Sequence, residues 1–196
     1  MNGISKSRAF IDGRLPPPIS PQADAIEPLP DDQHLCTHCA LCCSGPVFNH
    51  IAVRPEDVPD IERTGFNVET FHDGPGFALP CSFLAGTRCS IYPGRPRSCR
   101  SFRCKLLRAV DAGETGITEA LAVVDEAKRL LAAAAVFYRD GESVVDARLR
   151  WKSCQSAWWL GAGPDAARFH LAMVMLNLFI DRNFRDEGMM AERVRG

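Results

Sequence analysis

Charge of neither sign is in excess in this sequence, and long apolar runs are missing. Lys and Arg number 23 against 24 Asp and Glu, a formal net charge of −1. That balance gives no global field to draw in nucleic acid or an anionic lipid surface. The longest apolar run, Leu171 to Ile180, is interrupted by Asn177 and is about half of what a membrane-spanning helix needs. Residues 1–30 hold Pro16, Pro17, Pro18, Pro21, Pro28 and Pro30 but no apolar signal core, so they read as a flexible Pro-rich leader. There is no internal repeat. No phosphate-binding glycine loop, paired-carboxylate site or Ser/His/Asp arrangement stands out, which removes the commonest enzyme templates. The expected compartment is cytoplasmic and reducing, with neither nucleic acid nor membrane as partner.

Cysteine is what the sequence does have. Four stand within eight residues, at Cys36, Cys39, Cys42 and Cys43, and four more follow at Cys81, Cys89, Cys99 and Cys104. An ordinary core does not need thiols at that density, so the stretch either holds metal or is cross-linked. Disulfides are rare in a reducing cytosol, and nine cysteines cannot all pair within one chain. Metal is the better reading. The gaps of two residues in Cys36-Thr-His-Cys39-Ala-Leu-Cys42 let a turning backbone aim three thiolates at one centre. Completed by a remote fourth, this is the usual grip on an iron–sulfur cluster. Zinc sites more often use two separate knuckles of this kind, and the later cysteines offer none. Iron–sulfur therefore stands ahead of zinc, and both stay open. Neighbouring side chains diverge, so Cys42 and Cys43 cannot easily face one centre. Eight thiols suffice for two sites of four, but spacing alone does not sort them.

Four thiolates on zinc or on an oxidised four-iron cluster leave a local charge of about −2. Arg95, Arg97, Arg100 and Arg103 lie among the later cysteines and are placed to offset it. His34 and His38 flank the first thiols as further ligands or hydrogen-bonding partners; His50 and His72 are weaker candidates. Cys154 lies outside the pattern and reads as a small buried hydrophobe. His170, Trp151, Trp158 and Trp159 read as helix-packing residues.

The series C-x2-C-x2-C-C, Pro80-Cys81-Ser-Phe-Leu84, Cys89-Ser-Ile-Tyr92, Arg95-Pro96 and Cys99-Arg-Ser-Phe-Arg-Cys104 resembles the CxxCxxCC cysteine-cluster family, the YkgJ-type proteins described as zinc- or iron-chelating. The resemblance implies a metal-chelating domain over residues 31–107. It implies metal ligands at Cys36, Cys39, Cys42, Cys43, Cys81, Cys89, Cys99 and Cys104, and iron–sulfur or Zn2+ as the cofactor. Flagellin lysine N-methylases resemble the same family, so an iron–sulfur enzyme is one alternative and a zinc-stapled structural or interaction module is another. No reaction, substrate or protein partner follows from the residues.

The expected architecture is mainly α: an irregular, metal-organised cysteine-rich half packed on a small helical bundle over residues 108–196. Within the first half, Ile51–Val53 predicts a short strand and Pro55-Glu56-Asp57 a helix start that stops near Gly65, with loops dominating from Gly74 to Ser98. Cys99–Ala112 predicts one helix. Apolar residues at Leu121, Val124, Ala127, Leu131, Ala134 and Tyr138 predict a long helix capped by Thr118. Ser143-Val-Val-Asp146 is a capping-box pattern opening a helix towards Trp158–Leu160. Pro164 suits the first position of a last helix reaching Phe179 or Arg182.

Overall fold

A computed structural model describes residues 31–153 and 163–186. Among these residues there are eight α-helices and five short strands, so the chain is mainly α. None of these helices is long and apolar enough to cross a membrane.

The helical half follows its sequence pattern closely. Helix α6, Ile117–Ala135, buries Ala120, Val124, Ala127, Leu130 and Ala134, a stripe at spacings of three and four. Helix α8, Pro164–Asn183, answers with Phe169, Met173, Leu176 and Ile180. The alanines of α6 let the larger side chains of α8 come close, and α6 packs along α8. Each fully buried Met, Leu or Ile contributes roughly 1.5–3 kcal/mol relative to exposure. Helix α7, Val144–Ser153, opens on the expected capping box. Ser143 N donates to Asp146 Oδ2 at 3.2 Å and Asp146 N donates to Ser143 Oγ at 3.1 Å. Trp158–Leu160, where that helix was expected to end, lies outside the described residues. The cap of α6 differs from expectation. Gly116 is the cap residue and donates its N–H to Glu119 Oε2 at 3.2 Å, so Thr118 falls inside the helix. The helix also ends at Ala135, before Tyr138.

The cysteine-rich half holds more regular structure than its glycines and prolines led one to expect. It opens on helix α1, Asp31–Cys39, then the short α2, Leu41–Ser44. Strand β1, His50–Ala52, falls where a strand was expected. The turn Pro55–Asp57 leads into α3, Val58–Arg63, and Gly65 follows at φ 100°. Strands β2, Glu69–Phe71, and β3, Gly74–Ala78, complete an antiparallel sheet in the order β1-β3-β2. Its register sets Ile51 opposite Phe77 and Thr70 opposite Pro75. A two-stranded ribbon follows, β4, Leu84–Ala85, against β5, Arg88–Cys89. Gly86, at its tip, has φ 63° and open space around it. The stretch Gly74–Ser98 is therefore not all loop, because paired backbone groups compensate for residues poor in strand propensity. The single helix expected over Cys99–Ala112 is broken into α4, Arg97–Ser101, and α5, Lys105–Asp111. Phe102 and Cys104 are extended between them, and Cys104 caps α5.

Two cores result. The larger joins α6 and α8 to Leu35, Leu41, Val47, Leu106 and Leu107 of the cysteine-rich half. The smaller, under the sheet, has only Val53, Ile61, Phe66 and Phe77 buried.

Candidate metal centre

Helix α1 sets Cys36 and Cys39 three residues apart, hence on one face. The chain then bends at Ala40, a buried residue at φ 54°, a left-handed conformation that costs an L-residue about 1 kcal/mol or more. Its carbonyl accepts from Cys43 N at 3.0 Å and Ser44 N at 2.9 Å, which holds the bend and starts α2. Cys42 is thereby turned back towards the first two thiols. Cys104 arrives from the other end of the segment, and its sulfur accepts the Leu107 N–H at 3.4 Å. Cys36, Cys39, Cys42 and Cys104 all lie against the larger core.

Cys43 goes elsewhere. Its carbonyl accepts the Cys81 N–H at 2.9 Å. Cys89 pairs across the ribbon with Leu84, and Cys99 stands in the first turn of α4, its N–H donating to Pro96 O at 3.0 Å. Cys81 and Cys99 lie against the smaller core beside Phe83 and Ile91. All eight cysteines border a single cavity of about 690 Å³. The eight carry thiols, not disulfides.

Burial dominates the acid–base character of these thiols. It pushes Cys39 up to about 12, partly offset by the Leu41 backbone N–H, and then by Lys128 against the added repulsion of Cys104 and Cys36. Cys99 is pushed up to about 12 by burial and then by Cys43 and Cys81, with Arg95 opposing. Cys43 is raised to about 11 by burial and then by Cys81 and Cys89. Cys42 lies well above its ordinary value, through burial and then the charges of Cys104, Cys39, Cys43 and Cys36. Burial also raises Cys81 and Cys104. Burial of this kind favours the protonated thiol, whereas a bound cation would favour the thiolate.

Among the described residues, no group of three or more His, Cys, Asp or Glu side chains is arranged to hold a metal ion as it stands. The donor chemistry nevertheless fits a thiophilic ion: soft ligands, buried, and close enough to repel one another once ionised. Iron–sulfur clusters and zinc both accept four such ligands.

The surrounding cations are only partly those expected. Arg95 lies with its guanidinium 3.6 Å over the Tyr92 ring and acts on Cys43 and Cys99. Arg97 and Arg100 are exposed, and Arg103 pairs with Asp111 at 3.4 Å. Two arginines that spacing could not reveal come from the helical half. Arg148 Nη1 donates to Gly45 O at 2.9 Å and to Asn49 Oδ1 at 2.8 Å. Arg185 Nε donates to Val47 O at 2.7 Å and Nη2 to Pro46 O at 2.6 Å. Both are buried, and together they grip the loop that follows Cys43.

The histidines have other partners. His38 Nε2 donates to Asp125 Oδ1 on α6 at 2.8 Å, tying α1 to the bundle. His50 stacks on Phe71 with ring centres 4.0 Å apart and donates from Nε2 to Asp73 Oδ1 at 2.8 Å. His50, His72 and Asp73 also border the cavity. His170 Nδ1 accepts from Trp151 Nε1 at 3.2 Å, in keeping with a packing role. The side chain of His34, and Cys154, Trp158 and Trp159 altogether, lie outside those described.

No curated protein and no solved structure matches this chain. Residues 35–123, the segment holding all eight of these thiols, match the CxxCxxCC family, described as a putative zinc- or iron-chelating domain.

Proposed function

We propose that this chain is a cytoplasmic metal-binding protein that chelates iron, held as an iron–sulfur cluster, or else zinc. The ligands are the thiolates of Cys36, Cys39, Cys42, Cys43, Cys81, Cys89, Cys99 and Cys104. The observation that carries this reading is the single cavity bordered by all eight, although they come from helices, a ribbon and turns far apart in the chain. Iron–sulfur is preferred because three thiols at two-residue gaps meet a remote fourth, Cys104, against one apolar core. When bound, such a cluster supplies one-electron chemistry; zinc supplies structural cross-linking. The chain's part is to exclude water from the thiols, to orient them through the Ala40 bend and the two arginine grips, and to release their protons.

A second reading, a zinc-stapled interaction module, draws support from the smaller core, whose four buried residues are few for an independent unit. Anaerobic purification followed by iron, sulfide and zinc analysis and an ultraviolet–visible spectrum decides between them. Iron with sulfide and a broad visible absorption supports the cluster. Zinc in a colourless protein supports the staple. Neither metal, with eight thiols freely titratable in the native protein, rejects chelation altogether.

A further inference from the structure

We infer that the eight thiols form two separate centres of four ligands each, Cys36, Cys39, Cys42 and Cys104 in one and Cys43, Cys81, Cys89 and Cys99 in the other. This rests on the chelation reading and adds what neither spacing nor the family match assigns: which thiol serves which ion.

Three observations carry the division. The first is packing. Cys36, Cys39, Cys42 and Cys104 lie against the core shared with α6 and α8, whereas Cys81 and Cys99 lie against the core beneath the sheet. The second is backbone anchorage. Cys43 is tied to Cys81 by a hydrogen bond between their main chains, 2.9 Å long, and the ribbon holds Cys89 opposite Leu84, three residues beyond Cys81. The third is helical direction. Cys42 and Cys43 are successive residues of α2, so their side chains leave the axis about 100° apart. One peptide bond therefore separates the two centres, and each ion fixes the backbone from which the other takes a ligand.

Paired substitutions test the division on the full chain, purified anaerobically, with bound iron, sulfide and zinc counted per chain. Two changes within one set, Cys36→Ser with Cys104→Ser or Cys81→Ser with Cys99→Ser, should each leave about half of the wild-type metal. One change in each set, Cys36→Ser with Cys99→Ser, should leave less than a tenth. Equal losses from all three pairs would overturn the division. If a pair does not fold, as judged by its helical circular dichroism, the wild type decides. Thiol alkylation mapped by mass spectrometry during stepwise chelation should expose the cysteines in these two blocks of four. Exposure in a block that mixes the sets, or of all eight in step, would overturn the division. A wild type without metal would instead defeat the chelation reading, so the two failures are distinct.

Discussion

Arg148 on α7 reaches 103 residues back along the chain to donate a hydrogen bond to the carbonyl of Gly45. The same nitrogen also meets Phe48 O at 3.3 Å and Asn49 Oδ1. The carbonyls of Gly45 and Phe48 belong to the loop that carries the chain away from Cys43, so the grip fixes where that thiol sits. Arg148→Leu removes a charged donor that is only 3% exposed and leaves its acceptors buried. The expected loss is about 3 kcal/mol of folding stability, together with lower metal retention. Denaturant unfolding checks this, and a change under about 0.5 kcal/mol would contradict it.

Gly45 itself tolerates no side chain. It sits at φ 108°, and a Cβ there would lie 2.6 Å from Val145 Cγ2 and 3.1 Å from Val144 Cγ1. Gly45→Ala should cost roughly 2 kcal/mol or more, from strain and overlap together. Adding Val145→Ala to that variant should relieve the overlap but not the backbone strain, so the thermal midpoint recovers only in part. Full recovery would show that the conformation at residue 45 is not strained.

Glu142 and Arg150 form a largely buried pair, with Arg150 Nε donating to Glu142 Oε1 at 2.6 Å and Nη2 to Oε2 at 2.7 Å. The Arg150 hydrogen bonds hold the Glu142 carboxyl below its ordinary value of 4.5. A carboxyl lowered on folding contributes stability that is fully present above its unfolded value, and this contribution is lost as pH falls through the folded one. Glu142→Gln should therefore be less stable than wild type by about 1–2 kcal/mol near neutrality. The gap should close progressively once the pH drops below about 4.5. A gap unchanged down to pH 3 would contradict the pairing.

Removal of metal should not affect the two halves equally. Helices α6 and α8 share a core in which Ala120, Val124, Met173 and Ile180 have no exposure at all, and none of the eight thiols lies on either helix. After anaerobic chelation, amide exchange should rise across residues 41–104, while α6 and α8 keep their protection. A uniform rise along the chain, measured by mass spectrometry, would contradict this.

The helical half was legible because its apolar residues repeat at the helix period and its ends carry explicit signals. Ser143 and Asp146 cap each other, and Pro164 is the first residue of α8. The cysteine-rich half was less so. Cysteine is neither clearly inside nor clearly outside, which obscures the pattern of α1, and β3 is written Gly-Pro-Gly-Phe-Ala, residues that rarely announce a strand. The break at Phe102–Cys104 follows from position: Cys104 caps α5 with its own sulfur and cannot also continue a helix from Cys99. The density of these cysteines pointed to a shared site, and all eight do border one cavity. Which core Cys36, Cys39, Cys42, Cys104, Cys81 and Cys99 lie against could not be read from spacing, since that is set by tertiary packing. Arg148 and Arg185 carried no local signal, because their partners lie about a hundred residues or more away in the chain.

The ribbon tip at Gly86 is exposed, with room beside its Cα for added atoms, yet it is only three residues from Cys89. Exposed turns of this kind accept insertions and attached groups with little disturbance. A small fluorophore tethered at the adjacent exposed Thr87, which leaves Gly86 and its left-handed backbone in place, should report metal entering or leaving the proposed site by quenching, in real time and without altering any proposed ligand. The fold thus supplies its own attachment point for an optical sensor.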